Sequence, residues 1–123
     1  MAGTLTISTL SDGTNSTSST NCIQGSAMAW VRFNGNPTVA IAGSYNVSSV
    51  TRNATGDYTI NFTNAMVDTN YSAVSSNGNG TANTVGCSTF YGQAPTTTTV
   101  RICTYNGATS LTDYVYISTV VFR

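Results

Sequence analysis

The chain has 123 residues, one domain's worth; 40% are apolar and only eight are charged, four Arg and four Asp, for a net charge of zero. There is no Lys, Glu or His, so there is no basic footprint for nucleic acid or an anionic membrane, and acid–base chemistry rests on four Asp alone. Ser and Thr number 38 and Asn 13, while the long charged helix formers are missing, which argues for strands and against helices.

The opening MAGTLTISTL has neither a basic region nor a continuous apolar region, so it is not read as a secretion signal. TLTISTL, residues 4–10, reads as a strand with Leu5 and Ile7 on one face. SDGTNSTSSTN, residues 11–21, breaks it and, being small and polar, is the stretch expected to be flexible. AMAWVRF, residues 27–33, is apolar on both faces, Met28 and Trp30 against Ala29, Val31 and Phe33, and predicts a strand covered on both sides. NGNP, residues 34–37, has strong turn chemistry.

The next strand, 38–47, has Val39 and Ile41 facing one way and Tyr45 and Val47 sharing a face. A bulge near Ser48-Ser49 is expected to return Val50 to the core. NATG, residues 53–56, is the predicted loop, with Gly56 free to take positive φ. DYTINFT then alternates, with Tyr58, Ile60 and Phe62 inward and Asp57, Thr59, Asn61 and Thr63 outward.

NAMVDTN connects to a strand at YSAVSS. NGNGTAN, residues 77–83, is a loop, TVGCSTFYG a strand, and TTTVRICTY a strand with Val100 and Ile102 opposed to Arg101 and Cys103. NGATS turns the chain, and TDYVYISTVVFR closes it, apolar on both faces and therefore expected to be covered on both, by its own domain or a neighbour. Eight or nine short strands at spacings near ten residues predict an all-β fold: an antiparallel β-sandwich, jelly-roll-like, over residues 26–123. An N-terminal arm of one strand and a polar segment, residues 1–25, precedes it. No run of 18 apolar residues offers a membrane span.

Chemistry is harder to find. Asp12, Asp57 and Asp68 lie beside turn residues and read as turn chemistry, and a carboxylate pair for glycoside hydrolysis is not visible. Ser and Cys lack a His partner, and no G-x-S-x-G occurs. The spacing of Cys22, Cys87 and Cys103 does not suit a metal site; they read as small buried residues, with a Cys87–Cys103 bridge as the alternative. Neither an enzyme, a cofactor nor a metal is expected. Asn-x-Ser/Thr triplets arise by chance in such a composition. What remains is a surface. Arg101 reads as an exposed strand charge, with an inter-subunit partner as the alternative. Tyr71, Phe90, Tyr91 and Tyr105 near loop ends can stack on sugar rings while Asn and Ser neighbours bond hydroxyls, or can serve as packing.

AMAWVRFNG, then VAIAGSYNVSSVTRNATGDYTINFTNAM, then DTNYS resembles a domain from the C-terminal parts of tailed-bacteriophage fibre proteins of marine and cyanobacterial phages. ISTLSDGTNSTSS looks like the Thr/Ser-rich stretch that leads into such domains. The likeness spans roughly residues 7–72 and is specific over 44–62. It implies a virion structural role in a tail fibre or on the capsid surface, synthesis in the host cytoplasm, a homotrimer, and contact with host surface polysaccharide. The resemblance brings no shaft or virion-anchoring domain, so a small separate virion protein and a fragment are both open. The receptor-binding residues expected are Asn77, Asn79, Phe90, Tyr91 and Tyr105, with other virion proteins held through the arm. The alternative is a capsid decoration or tail connector.

Overall fold

The computed structural model describes residues 3–80, 85–107 and 110–123. The period-two pattern of DYTINF forms a strand whose Tyr58, Ile60 and Phe62 are buried while Thr59 and Asn61 face away. The same logic builds the rest. Beyond an arm of β1 (Thr9–Ser11), β2 (Ser16–Ser18) and α1 (Ser19–Gly25) lie nine strands: β3 (Ala27–Asn34), β4 (Ala40–Tyr45), β5 (Val47–Ala54), β6 (Asp57–Phe62), β7 (Ser72–Gly78), β8 (Val85–Thr89), β9 (Thr99–Asn106), β10 (Ser110–Leu111) and β11 (Tyr116–Phe122). They form two antiparallel sheets. Sheet one has the order β4-β3-β11-β7. Sheet two has the order β5-β6-β9-β8, with the two residues of β10 pairing the end of β9.

The core lies between the sheets, an all-β sandwich. Ala29, Val31 and Phe33 of β3 and Ile117 and Val121 of β11 meet Tyr58, Ile60 and Phe62 of β6 and Val100 and Ile102 of β9. Each of the larger side chains contributes about 1.5–3 kcal/mol on burial. Phe33 and Tyr58 pack edge-on at 5.1 Å between ring centroids. Two core threonines have their hydroxyls satisfied: Thr104 donates to the Thr112 carbonyl at 2.6 Å, and Thr119 bonds the Ser75 hydroxyl at 2.9 Å. No helix of the described residues is long and apolar enough to cross a membrane.

The Ser44–Phe62 segment carries the expected hairpin, with a tighter turn than NATG. Ala54 already pairs with Asp57, leaving Thr55-Gly56 as the turn, with Gly56 at φ 64°. Its register slips at Ser48 between Val47 and Ser49, and Val47 and Val50 both pack on the core, as the predicted bulge requires. The expected continuity of Tyr45 and Val47 fails. Asn46 takes a left-handed φ of 54° and ends β4, so Tyr45 stays on sheet one while Val47 begins sheet two. The Asn46 amide nitrogen donates to the carbonyls of Met28 and Asn64 at 3.1 and 3.2 Å, and its oxygen accepts from the Asn64 backbone N–H at 2.8 Å. One side chain thus fixes the corner between sheets.

Three further expectations give way. The opening strand is only Thr9–Ser11, and Leu5 and Ile7 are exposed. The stretch 11–21 carries elements of its own instead of a plain polar break: Asp12 caps a turn between β1 and β2, and Ser18 accepts the Asn21 N–H at 3.1 Å as N-cap of α1, a helix that composition argued against. The outer side of β3 is not covered within the chain, with Met28 and Trp30 exposed; the outer side of β11, with Tyr116 and Phe122, is likewise open to a neighbour and not covered by its own domain. Of the expected NGNGTAN and NGATS loops, residues 81–83 and 108–109 lie outside the described residues.

Asn46 generates a test. Asn46→Gly keeps the left-handed backbone and loses the amide bonds, a loss of about 1–2 kcal/mol. Asn46→Ala adds the left-handed strain of about 1 kcal/mol more. Urea unfolding followed by circular dichroism should therefore rank wild type, Gly, Ala in falling stability; equal values for Gly and Ala would show that the corner's backbone strain is not what Asn46 relieves.

Candidate functional site

Strand alternation sorts sheet two into an apolar inner face and a polar outer one. Opposite pairs across β5, β6 and β9 set Thr51 beside Thr59 beside Arg101, and Ser49 beside Asn61 beside Thr99. The Asn61 amide donates to the Ser49 hydroxyl at 3.0 Å and the Thr51 hydroxyl at 3.2 Å. The Asn53 amide donates to Asp57 at 3.1 Å and to the Thr59 hydroxyl at 2.9 Å. The result is a fixed lattice of hydroxyls and amides on a pleated surface.

Arg101 crosses this lattice diagonally. Its Nε donates to Asp57 Oδ1 at 2.8 Å, and its terminal nitrogen closes the second arm of a bidentate pair with Oδ2. The guanidinium also lies over the Tyr91 ring, 5.9 Å from its centroid. Arg101 is therefore not the free exposed charge expected from its place among β residues. Asp57, expected at a turn, is buried at the head of β6.

Tyr91 reaches Arg101 because of its neighbour. Phe90 has a φ of 60°, rare for a bulky side chain, and this left-handed step ends β8. The Phe90 ring turns to Tyr71 at 6.1 Å, while the Tyr91 N–H donates to the Arg101 carbonyl at 3.1 Å. Burial pushes the Tyr71 hydroxyl up to about 12; it donates to the carbonyls of Thr96 and Thr99 and belongs to the core.

The five sequence-derived residues do not form one patch. Phe90 and Tyr91 adjoin each other. Tyr105 lies on the same outer side of β9, its ring against Gly86, but four residues from Arg101, about 13 Å along the strand. Asn79 accepts the Val115 N–H at 3.3 Å. Asn77 pairs with Ile117 on β11, and its amide nitrogen is buried without a partner among the described residues. No protein-family model, curated protein or solved structure matches this chain.

The remaining chemistry is structural. The cysteines are free; Cys87 packs toward the core opposite Thr104, whereas Cys103 pairs with Ser88 and lies on the other side of the sheet, so the alternative bridge is not made. Burial pushes the Cys87 thiol up to about 11, away from thiolate reactivity. Each of three aspartates has its own arginine: Asp57 with Arg101, Asp113 with Arg52, Asp68 with Arg123. The Arg101 and Arg123 guanidiniums hold Asp57 and Asp68 below the usual carboxylate range. Burial pushes Asp113 the other way, but bonds from Arg52, the Gly56 N–H and Tyr58 outweigh it and leave that carboxyl low as well.

Folded carboxyls lower than unfolded ones contribute stability above the unfolded value of about 3.9 and lose it as pH falls through the folded values. With no His, no side chain ordinarily titrates between about pH 5 and 8. The melting temperature should accordingly be flat over that range and fall below about pH 4. Asp57→Asn should cost about 2 kcal/mol and make the acid limb shallower. Thermal unfolding across pH reads both; a wild-type acid limb in the variant would exclude the Asp57–Arg101 pair as its source.

Proposed function

We propose that this chain is a bacteriophage virion module, a tail-fibre or receptor-binding-tip domain that assembles as a trimer and meets host surface glycans with the outer face of sheet two. The observation that carries this reading is the Phe90–Tyr91 step. A left-handed residue is held at the edge of a polar lattice, and it presents a tyrosine ring braced by Arg101. Backbone strain of this kind persists where the surroundings enforce it, and it gathers at ligand-contacting positions. The ring offers a stacking surface for a sugar, and Asn61, Thr51 and Ser49 offer alternating donors and acceptors beside it. Recognition by such a surface involves no proton transfer, so the module binds and does not catalyse.

A second reading, a capsid decoration or tail connector, draws on a different feature. The arm pairs with neither sheet and leaves Leu10 and Ile23 uncovered, as suits a segment that engages a neighbouring virion protein. Both readings place the chain on the virion.

Binding of the pure protein to host cells and to their extracted polysaccharide, measured by calorimetry, tests the first reading. Tyr91→Ala and Asn61→Ala should each weaken binding about tenfold, or about 1.4 kcal/mol, without lowering the melting temperature by more than a degree or two. Changes at Asn77 and Asn79 should matter less. Full affinity in both variants would remove the sheet-two site. Absence of glycan binding together with stoichiometric presence in virions would select the decoration or connector role.

A further inference from the structure

The outer face of sheet one is as apolar as that of sheet two is polar. Register aligns Tyr45, Trp30, Val120 and Val74 in one row across all four strands. Tyr45 is 59%, Trp30 41% and Val74 61% exposed, and Met28, Tyr116 and Phe122 extend the patch. Together they leave on the order of 500 Å² of apolar surface open. That is the upper range for the largest patch of a stable monomer, and most of the roughly 800 Å² per side that a specific interface buries. Beside the row, one pleat along β3, stands Arg32, its guanidinium 5.2 Å from the centroid of the Tyr116 ring.

The arm is the complement of this face. β1 and β2 pair only with each other, and no arm residue enters the core. A two-stranded hairpin with a seven-residue helix has too little to bury to hold its shape alone. Leu5, Ile7, Leu10 and Ile23 nevertheless line one common hollow, with Leu10 53% and Ile23 67% exposed. A second hollow runs from Leu10 directly to Asp12. The charges then complete the match. Among the described residues, three Arg–Asp pairs account for six of the eight charged side chains. The two left without an opposite charge are Asp12, at the tip of the arm, and Arg32, on the apolar face. Asp12 accepts its own turn's N–H groups and still carries its full charge.

We infer that the arm of one copy docks on the outer face of sheet one of a second copy, with Leu10 and Ile23 on the Tyr45–Trp30–Val120–Val74 row and Asp12 against Arg32. The inference rests on the proposed self-association and names its contact; it is independent of glycan binding. Donation in one direction round a ring closes without leaving an open arm or face.

Trp30 is the only tryptophan, so its emission reports this face directly. Sedimentation and Trp30 fluorescence of the full chain over a dilution series test the contact. Association should appear with a blue shift of Trp30 at the same midpoint. Asp12→Asn keeps the turn's acceptor oxygen but removes the charge. It should raise the dissociation midpoint roughly three- to tenfold, as should Arg32→Gln, and the double variant should be no weaker than either single one. Leu10→Ser should weaken association and leave the thermal unfolding of the sandwich unmoved when it is measured below the dissociation midpoint, where the chain is monomeric. A monomer at all concentrations would overturn both this docking and the trimer. Association with an unshifted Trp30, or with midpoints indifferent to Asp12 and Arg32, would overturn the docking alone. A blue-shifted Trp30 that does not depend on concentration would mean the arm folds back on its own sheet, which also overturns it.

Discussion

The carboxylate of Asp113 is the clasp between the two sheets. It lies just ahead of β11 in sheet one and takes the Tyr58 hydroxyl at 2.5 Å, the Gly56 N–H at 2.7 Å and the Arg52 guanidinium, all from the β5–β6 hairpin of sheet two. Tyr58 is among the largest fully buried side chains, and its hydroxyl also bonds the Gly35 carbonyl at the end of β3. Without Asp113 that phenol would end in the core with its main acceptor missing, at a cost of about 1–3 kcal/mol. The tight turn at Gly56 belongs to the same knot: its carbonyl accepts the Thr104 N–H at 2.8 Å, and a Cβ there would strike the Thr104 carbonyl.

How legible each part was depends on whether its cause is local. The inward set Tyr58, Ile60 and Phe62 follows from period two, and the bulge at Ser48 follows from the misfit of Val47 and Val50 in one regular strand. The corner at Asn46 did not show, because an asparagine between β-favouring residues reads as strand until its amide finds Met28 and Asn64, 18 residues away on either side. The helix at 19–25 was hidden for the opposite reason. Composition was weighed over the whole chain, whereas a single N-cap serine and one turn of backbone bonds sufficed locally. Two-sided apolarity in 27–33 and 112–123 has one side in the core and the other on a row through Trp30 and Val120 that no other part of the described chain covers.

The polar site was half visible. Asp57, Thr59 and Asn61 were assigned outward by alternation, and Tyr91 by its place near a strand end. The pairing of Arg101 is not legible locally, since its partner Asp57 is 44 residues away and joined only through the β6–β9 pairing. Asn77 and Asn79 looked like site residues because their loop is polar. Asn77 in fact belongs to the β7–β11 pairing, where it faces the Ile117 side of the sheet.

The sparse charges also solve a problem of register. A slip of one residue would expose the apolar inner set and is opposed by burial, but a slip of two keeps Tyr58, Ile60 and Phe62 inward and meets an outer face of Thr, Ser and Asn that discriminates poorly. Each ion pair here joins segments far apart in sequence, 61, 44 and 55 residues. Asp57 and Arg101 are the clearest case, as they sit one pleat off direct opposition, so the diagonal reach of the guanidinium measures the offset of β6 against β9. Six of the eight charged side chains thus serve contacts within the chain, where complementary charge selects among alignments that the polar strands would otherwise treat alike.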